Sequence, residues 1–276
     1  NLKNMINQNF KIGCAIPCYK GCEKTIEIIN SAQRFVDLIV LVDDLCPFKT
    51  GQKVESFFIN NEKVQVLFNE KNIGVGGATK KAIDFLTKQN CHIIVKVDAD
   101  GQINPELIPG LIRPLIDGKF EASKGNRITS LDNLLTMPKI RVFGNLGLSF
   151  LNKLSTGYWE LFDPTNGFIA FKTSILRKVR LEKVDNRYFF ESDFLFQCSL
   201  QNICFAQLSM RSNYKNEISS LKPHREIFRF TKKHLINFIK RIIYQYFILD
   251  FNIGSLELLI GSLTAIILLI KGTNVY

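Results

Sequence analysis

The stretch H-I-I-V-K-V-D-A-D-G-Q-I-N-P, residues His92–Pro105, decides how the rest of the chain is read. Four of the five residues Ile93–Val97 are apolar and β-branched, which is the composition of a buried strand. The strand runs into two carboxylates, Asp98 and Asp100, and then Gly101, Gln102 and Pro105 signal a turn and a helix start. Open α/β sheets hold their ligands at the carboxyl ends of strands. Asp98, Asp100 and the Gln102 side-chain carbonyl are hard oxygen donors suited to Mg2+ or Mn2+, ions that keep waters and take substrate phosphates as further ligands. A polar turn that only caps the next helix reads the same from these three residues, so the flanking sequence must choose.

Upstream, Lys11–Pro17 is a short apolar strand broken by Pro17 and Tyr19, and a helix follows with Ile26, Ile29, Ala32, Phe35 and Val36 on one face. Leu38–Val42 is a second buried strand, and it too ends in carboxylates, Asp43 and Asp44. A polar helix over Gly51–Asn60 leads to a third strand, Val64–Phe68. Strands alternating with helices predict a mostly parallel sheet flanked by helices. Right-handed crossovers put Tyr19, Asp43, Asp44, Asp98 and Asp100 on one edge of that sheet.

Between the third strand and His92, the run from Asn69 to Ala78 contains Asn72, Gly74, Gly76 and Gly77 and opens a helix reaching Gln89. It is neither G-x-G-x-x-G nor a P-loop, which excludes the usual dinucleotide and nucleoside-triphosphate fingerprints. Two readings stay open: small residues that let backbone amides approach a phosphate or sugar, or a tight strand-to-helix turn.

Downstream, a helix over Asn104–Asp117 precedes a strand at Ala122–Lys124, which ends at Gly125, Asn126 and Arg127. The planar fork of an arginine there suits a diphosphate. Ile140–Ser155 reads as a helix, and Asp163–Phe168 (D-P-T-N-G-F) is a turn entering the apolar run Phe168–Phe171. In Tyr188–Asp193 (Y-F-F-E-S-D), Glu191 starts a helix otherwise rich in Phe and Leu. Such an acid is either a helix cap or a functional group.

The 276 residues are 46% apolar and 22% charged, enough for a large globular core. Seven cysteines include no C-x-x-C pair. Cys14, Cys18 and Cys22 recur every four residues, but Cys14 falls in a strand and the other two in the loop after it. They read as reduced structural thiols in a reducing compartment. His92, His224 and His234 form no ligand cluster, and the polar start Asn1–Asn9 has no secretory-signal character.

The net charge of +11 is concentrated near the C-terminus. Arg211–Arg241 holds nine Lys/Arg (Arg211, Lys215, Lys222, Arg225, Arg229, Lys232, Lys233, Lys240, Arg241) against Glu217 and Glu226, a surplus of seven. Within Arg225–Phe251, Phe228, Leu235, Ile239, Ile242 and Tyr246 form a helical stripe with Arg229, Lys232, Lys233 and Lys240 to one side, which suits a bilayer surface. The apolar run Ile253–Ile270, broken by Glu257, is close to the roughly 20 residues a spanning helix needs. That neighbour favours anionic lipid over nucleic acid as partner, and the preceding basic residues put the main domain on the cytoplasmic side of the cell inner membrane.

Taken in order, Ile16–Tyr19, Asp43-Asp44, Asn72 to Ala78, Asp98–Gln102, Gly125–Arg127 and Asp163–Phe168 resemble the family 2 glycosyltransferases, and D-A-D-x-Q is most similar to the branch making dolichyl- or polyprenyl-phosphate sugars. The resemblance spans residues 10–210, with Ile103 where that branch often has His. It implies an α/β GT-A fold, a Rossmann-like mostly parallel sheet flanked by helices, with C-terminal amphipathic and transmembrane helices. It implies that Pro17, Tyr19, Asp43, Asp44, Asn72, Gly76, Gly77, Asp98 and Ala99 line the nucleotide pocket, while Asp98, Asp100 and Gln102 hold the metal on the diphosphate. Arg127 would steady phosphate charge, Asp163 would sit at the acceptor end, and Glu191 or Asp193 would take a proton if the acceptor were a hydroxyl.

The expected activity is therefore an inverting, Mg2+- or Mn2+-dependent transfer from a nucleotide sugar to a polyprenyl phosphate. A UDP-sugar is favoured and a GDP-sugar is open. Transfer to a hydroxyl of a lipid-linked glycan is the alternative; a non-catalytic sugar-nucleotide-binding scaffold and a nucleotidyltransferase are weaker ones. The expected organisation is a catalytic domain over 1–215, basic amphipathic juxtamembrane helices over 216–251, and a transmembrane helix over 252–276, with the spanning region expected to continue past the given sequence.

Overall fold

Continuous apolar runs, whose side chains point alternately to the two sides, leave the central strands buried on both faces. Strand β2 (Leu38–Asp43) packs Ile39 and Leu41 into one core cluster and Val40 and Val42 into the other. Strands β1 (Ile12–Cys18), β3 (Val64–Phe68) and β4 (Ile93–Lys96) join it in parallel, and β5 (Ala122–Asn126), β6 (Ile169–Lys172) and β7 (Phe205–Ser209) complete one sheet. The order is β3-β2-β1-β4-β6-β5-β7. Strand β6 runs antiparallel to β4 and β5, and every other pair is parallel. This computed structural model describes residues 10–21, 24–128, 139–210 and 223–273.

Helices α1 (Lys24–Ala32) and α4 (Ile108–Ile116) cover one face through Ile28, Ile29, Leu111 and Leu115. The opposite face packs on α3 (Val75–Lys88) and α6 (Phe190–Ser199) through Ala82, Leu86, Phe190 and Phe194. Helix α2 (Thr50–Phe57) follows β2, and α5 (Lys139–Thr156) lies between β5 and β6. The chain goes from β1 outward to β2 on one side and reaches β4 on the other, so the carboxyl ends of β1 and β4 form the topological switch point.

The mostly parallel sheet and its flanking helices are as expected. Details differ: Cys18 is the last residue of β1 rather than part of a loop, β5 extends to Asn126, and β7 carries too weak an alternation to announce itself. Cys22, Arg211, Lys215, Glu217 and Lys222 lie outside the described residues, as do the side chains of His224 and Arg225 and the boundary expected at 215/216.

Helix α7 (Pro223–Ile243) runs through a π-helical stretch, Tyr244–Leu249, towards α8 (Ile253–Thr273). Phe228, Leu235 and Ile239 on α7 are exposed, while Ile242 and Tyr246 are half-buried. Helix α8 is long and apolar enough over Ile253–Lys271 to cross a membrane, and almost none of it is buried within the protein.

Candidate active site

Alternation along β4 places Val95 on the face covered by α1 and α4, and Lys96 with Ile94 on the face covered by α3 and α6. Lys96 is only 1% exposed, so its ammonium needs partners there. Its Nζ lies 2.5 Å from Asp98 Oδ1 and 2.9 Å from Oε1 of Glu191, in the first turn of α6. Burial alone would push Lys96 down; the two carboxylates beside it outweigh burial and raise it above the ordinary lysine value.

The Asp163–Phe168 turn closes over this pair. A Cβ on Gly167 would overlap Asp98 Oδ2 and Lys96 Nζ, so any larger residue there must displace one of the pair. Lys124, buried on β5, donates to the Asn166 carbonyl. Burial pulls its ammonium down to about 8, against the opposing pull of Asp163 and Glu191. Arg127 grips the fully buried Asp163 with its fork, Nε to Oδ2 and Nη2 to Oδ1 at 2.6 Å each. Burial would raise Asp163, but the Arg127 bonds and charge reverse that and hold it below the usual carboxylate range. Lys96, Lys124 and Arg127 thus balance Asp98, Asp163 and Glu191, three cations against three anions.

Asp98, Asp100 and Gln102 are half-buried on the loop beyond β4. Asp100 Oδ1 accepts from the Gln102 amide at 2.9 Å, and the Ala99 carbonyl accepts from Thr25 Oγ1 of α1 at 3.3 Å. Among the described residues no three His, Cys, Asp or Glu converge as a metal cage. Two carboxylates and an amide carbonyl nonetheless fit a hard divalent ion that takes its remaining ligands from water and a diphosphate.

The β1 and β2 ends lie side by side, with Pro17 opposite Val42 and Cys18 opposite Asp43. Pro17 is buried and Tyr19 is 48% exposed at the mouth. Asp43 and Asp44 are both buried, and both accept from backbone amides: Asp43 from Cys46 and Gly51, Asp44 from Ile73 and Gly74. Asn72 Nδ2 donates to the Asp44 carbonyl, and its Oδ1 accepts from Arg187. Asp44 therefore shapes the loop bearing Asn72, while Asp43 holds the segment from Cys46 to Gly51.

The glycine run serves close packing. A Cβ on Gly76 would overlap the Asp185 carbonyl, and the Gly77 amide donates to the Asn186 carbonyl at 2.9 Å. Segment 185–187 thus crosses the start of α3. Asp193 is turned elsewhere: it accepts from the Asp185 amide and from Asn237 of α7. Burial, only partly offset by those bonds, raises it above the usual carboxylate value. Sequence reasoning missed Lys96, Lys124 and Arg187, and read Gly167 only as part of a turn. A lone lysine inside an otherwise buried strand was the available signal for Lys96.

Comparison with known proteins places this geometry. The model of glycosyl transferase family 2 matches residues 14–180. The UDP-N-acetylglucosamine–dolichyl-phosphate N-acetylglucosaminyltransferase of Methanococcus voltae is 29% identical over 218 residues, 72% of this chain and 84% of that protein. The undecaprenyl-phosphate mannosyltransferase of Micrococcus luteus is 26% identical over 186 residues, 66% of this chain and 75% of that one. Glucosyl-3-phosphoglycerate synthase of Mycobacterium tuberculosis, solved with Mn2+ and UDP, shares the fold at a TM-score of 0.62 and 17% identity, over 87% of this chain and 82% of its own. With the family model covering most of the sheet and the switch-point loops, the chain belongs to glycosyl transferase family 2 and is a glycosyltransferase with a GT-A fold.

Proposed function

We propose that this glycosyltransferase moves a sugar from a nucleotide sugar, a UDP-sugar by preference, to a polyprenyl phosphate at the cytoplasmic face of a membrane. The observation that carries the reading is the commitment of the acids around the site. Glu191 is paired with Lys96, Asp163 with Arg127, and Asp193 is bonded to Asp185 and Asn237. A hydroxyl acceptor needs a base to take its proton. A lipid phosphate arrives anionic and needs none.

In this reading Pro17, Tyr19, the Asn72 loop shaped by Asp44 and the neighbouring loop held by Asp43 receive the base and ribose, with Ala99, Gly76 and Gly77 forming the surrounding backbone. Asp98, Asp100 and Gln102 would hold Mg2+ or Mn2+, which supplies charge neutralisation to the departing diphosphate. Lys96 keeps Asp98 oriented while the acceptor oxygen attacks the anomeric carbon in line. The bond to the nucleoside diphosphate breaks with inversion, and Arg127, its charge offset by Asp163, would donate N–H bonds to the phosphates. The basic face of α7 meets anionic lipid and α8 spans the bilayer, which divides the chain into catalytic (1–215), juxtamembrane (216–251) and spanning (252–276) parts.

The test is transfer by the full chain in membranes, with a panel of radiolabelled nucleotide sugars and undecaprenyl phosphate. Label entering the lipid fraction with release of nucleoside diphosphate supports the reading and names the sugar. Label entering only a glycan hydroxyl overturns the acceptor, and release of pyrophosphate overturns the reaction class.

A further inference from the structure

An open groove of ≈ 620 Å3 runs between α6, the turn at Arg180–Lys183 and α7. Among the described residues its cationic lining is Arg180, Lys183, Lys233 and Lys240 and its one acid is Asp193, already bonded to Asn237 and the Asp185 amide. Arg180, Lys183 and Lys240 are exposed, whereas Lys233 is paired with Asp185. The same groove is lined by Phe196, Leu200, Ile236, Ile243 and Ile248, of which the three isoleucines are 40%, 49% and 67% exposed. Cations beside exposed apolar walls match an amphiphile with an anionic head.

The groove is separate from the sugar-transfer site. Two positions along an α-helix differ by about 200° in direction. Glu191 accordingly faces Lys96, while Asp193 faces Asn237 and the groove. The groove also lies next to the bilayer entry: Ile248, in its wall, precedes the first residue of α8 by five positions.

We propose that this groove binds one anionic phospholipid, its phosphate held by Arg180, Lys183 and Lys240 and its acyl chain laid along Ile236, Ile243 and Ile248. The inference rests on the reading of α8 as a membrane span and is independent of which acceptor is used. A lipid seated there fills the space between α7 and α6, the helix that carries Glu191.

The full chain is extracted in mild detergent from vesicles of equal phosphatidylglycerol and phosphatidylcholine, and retained lipid is weighed by native mass spectrometry. Two variants accompany the wild type: the triple variant Arg180→Gln, Lys183→Gln, Lys240→Gln, confined to exposed side chains, and Gln197→Trp, which fills the groove and keeps every charge. Unchanged melting temperature and UDP binding establish that each is folded. The expected result is one phosphatidylglycerol retained per chain in preference to phosphatidylcholine, reduced about tenfold in both variants, a change of about 1.4 kcal/mol. Equal retention of the two lipids overturns the proposal, as does undiminished phosphatidylglycerol in Gln197→Trp, which would mean diffuse surface attraction. Displacement of the lipid by undecaprenyl phosphate also overturns it, assigning the groove to the acceptor. Sugar transfer, assayed on the same samples, reports separately on the proposed function.

Discussion

Lys96 and Glu191 form a buried ion pair, Nζ to Oε1 at 2.9 Å, and the same ammonium holds Asp98 Oδ1 at 2.5 Å. One side chain in the sheet therefore ties the carboxylate loop to helix α6. Lys96→Met leaves Glu191 buried without its cation, a loss of about 3–5 kcal/mol for pairs broken on one side. A lower melting temperature together with weaker Mn2+-dependent UDP binding in calorimetry is expected. Wild-type binding in a folded Lys96→Met would show that Asp98 does not depend on Lys96.

Gly167 tests the same loop from the other side. In Gly167→Ala the new methyl meets Asp98 Oδ2 and Lys96 Nζ, so Asp98 must shift. Overpacking of this kind costs about 1–3 kcal/mol. Metal-dependent UDP affinity is expected to fall by more than the melting temperature implies. Unaltered affinity would mean that the Asp98 position is not critical.

Arg127 and Asp163 join β5 to the D-P-T-N-G turn through two parallel bonds at 2.6 Å. Arg127→Lys keeps the charge and loses the fork. Asp163→Asn takes the buried carboxylate away from the Arg127 fork and is expected to be the more damaging, by about 3–5 kcal/mol. Chemical denaturation of the two variants measures the order, and equal stability of both with wild type would contradict it.

The switch-point carboxylates, the four parallel strands and the membrane-suited C-terminal helix were legible because each rests on local signals: alternation, a strand running into Asp98, an apolar run of helical length. The commitments of those residues were not. Lys96 meets Glu191 across 95 positions of chain (191 − 96), and nothing local in Y-F-F-E-S-D separates a helix cap from an ion-pair partner. The glycines of the α3 turn were visible as small residues, but the Asp185–Arg187 segment they accommodate comes from far downstream. Antiparallel β6 was likewise set by long-range pairing with β4 and β5.

His234 of α7 is buried beside Phe189, with Nδ1 2.9 Å from Ser155 Oγ of α5. Burial lowers it from 6.5 to about 4. Because the folded value is depressed, the unfolded chain takes up the proton first. The contribution is complete above about pH 6.5 and lost as pH falls towards 4, by about 3 kcal/mol at most. Melting temperature against pH is expected to drop across that window and to flatten in His234→Gln. An unchanged slope in the variant would assign the acid sensitivity to other groups.

The central claim is that the acceptor is a phosphate and that Glu191 positions Lys96 rather than removing a proton. The most direct measurement is the pH–rate profile of transfer to undecaprenyl phosphate for wild type and Glu191→Gln, with Asp100→Ala as the metal-site control. The account predicts a slower Glu191→Gln enzyme with a profile of the same shape, and little transfer by Asp100→Ala at any pH. A Glu191→Gln profile that loses its acidic limb would contradict it and make Glu191 the general base.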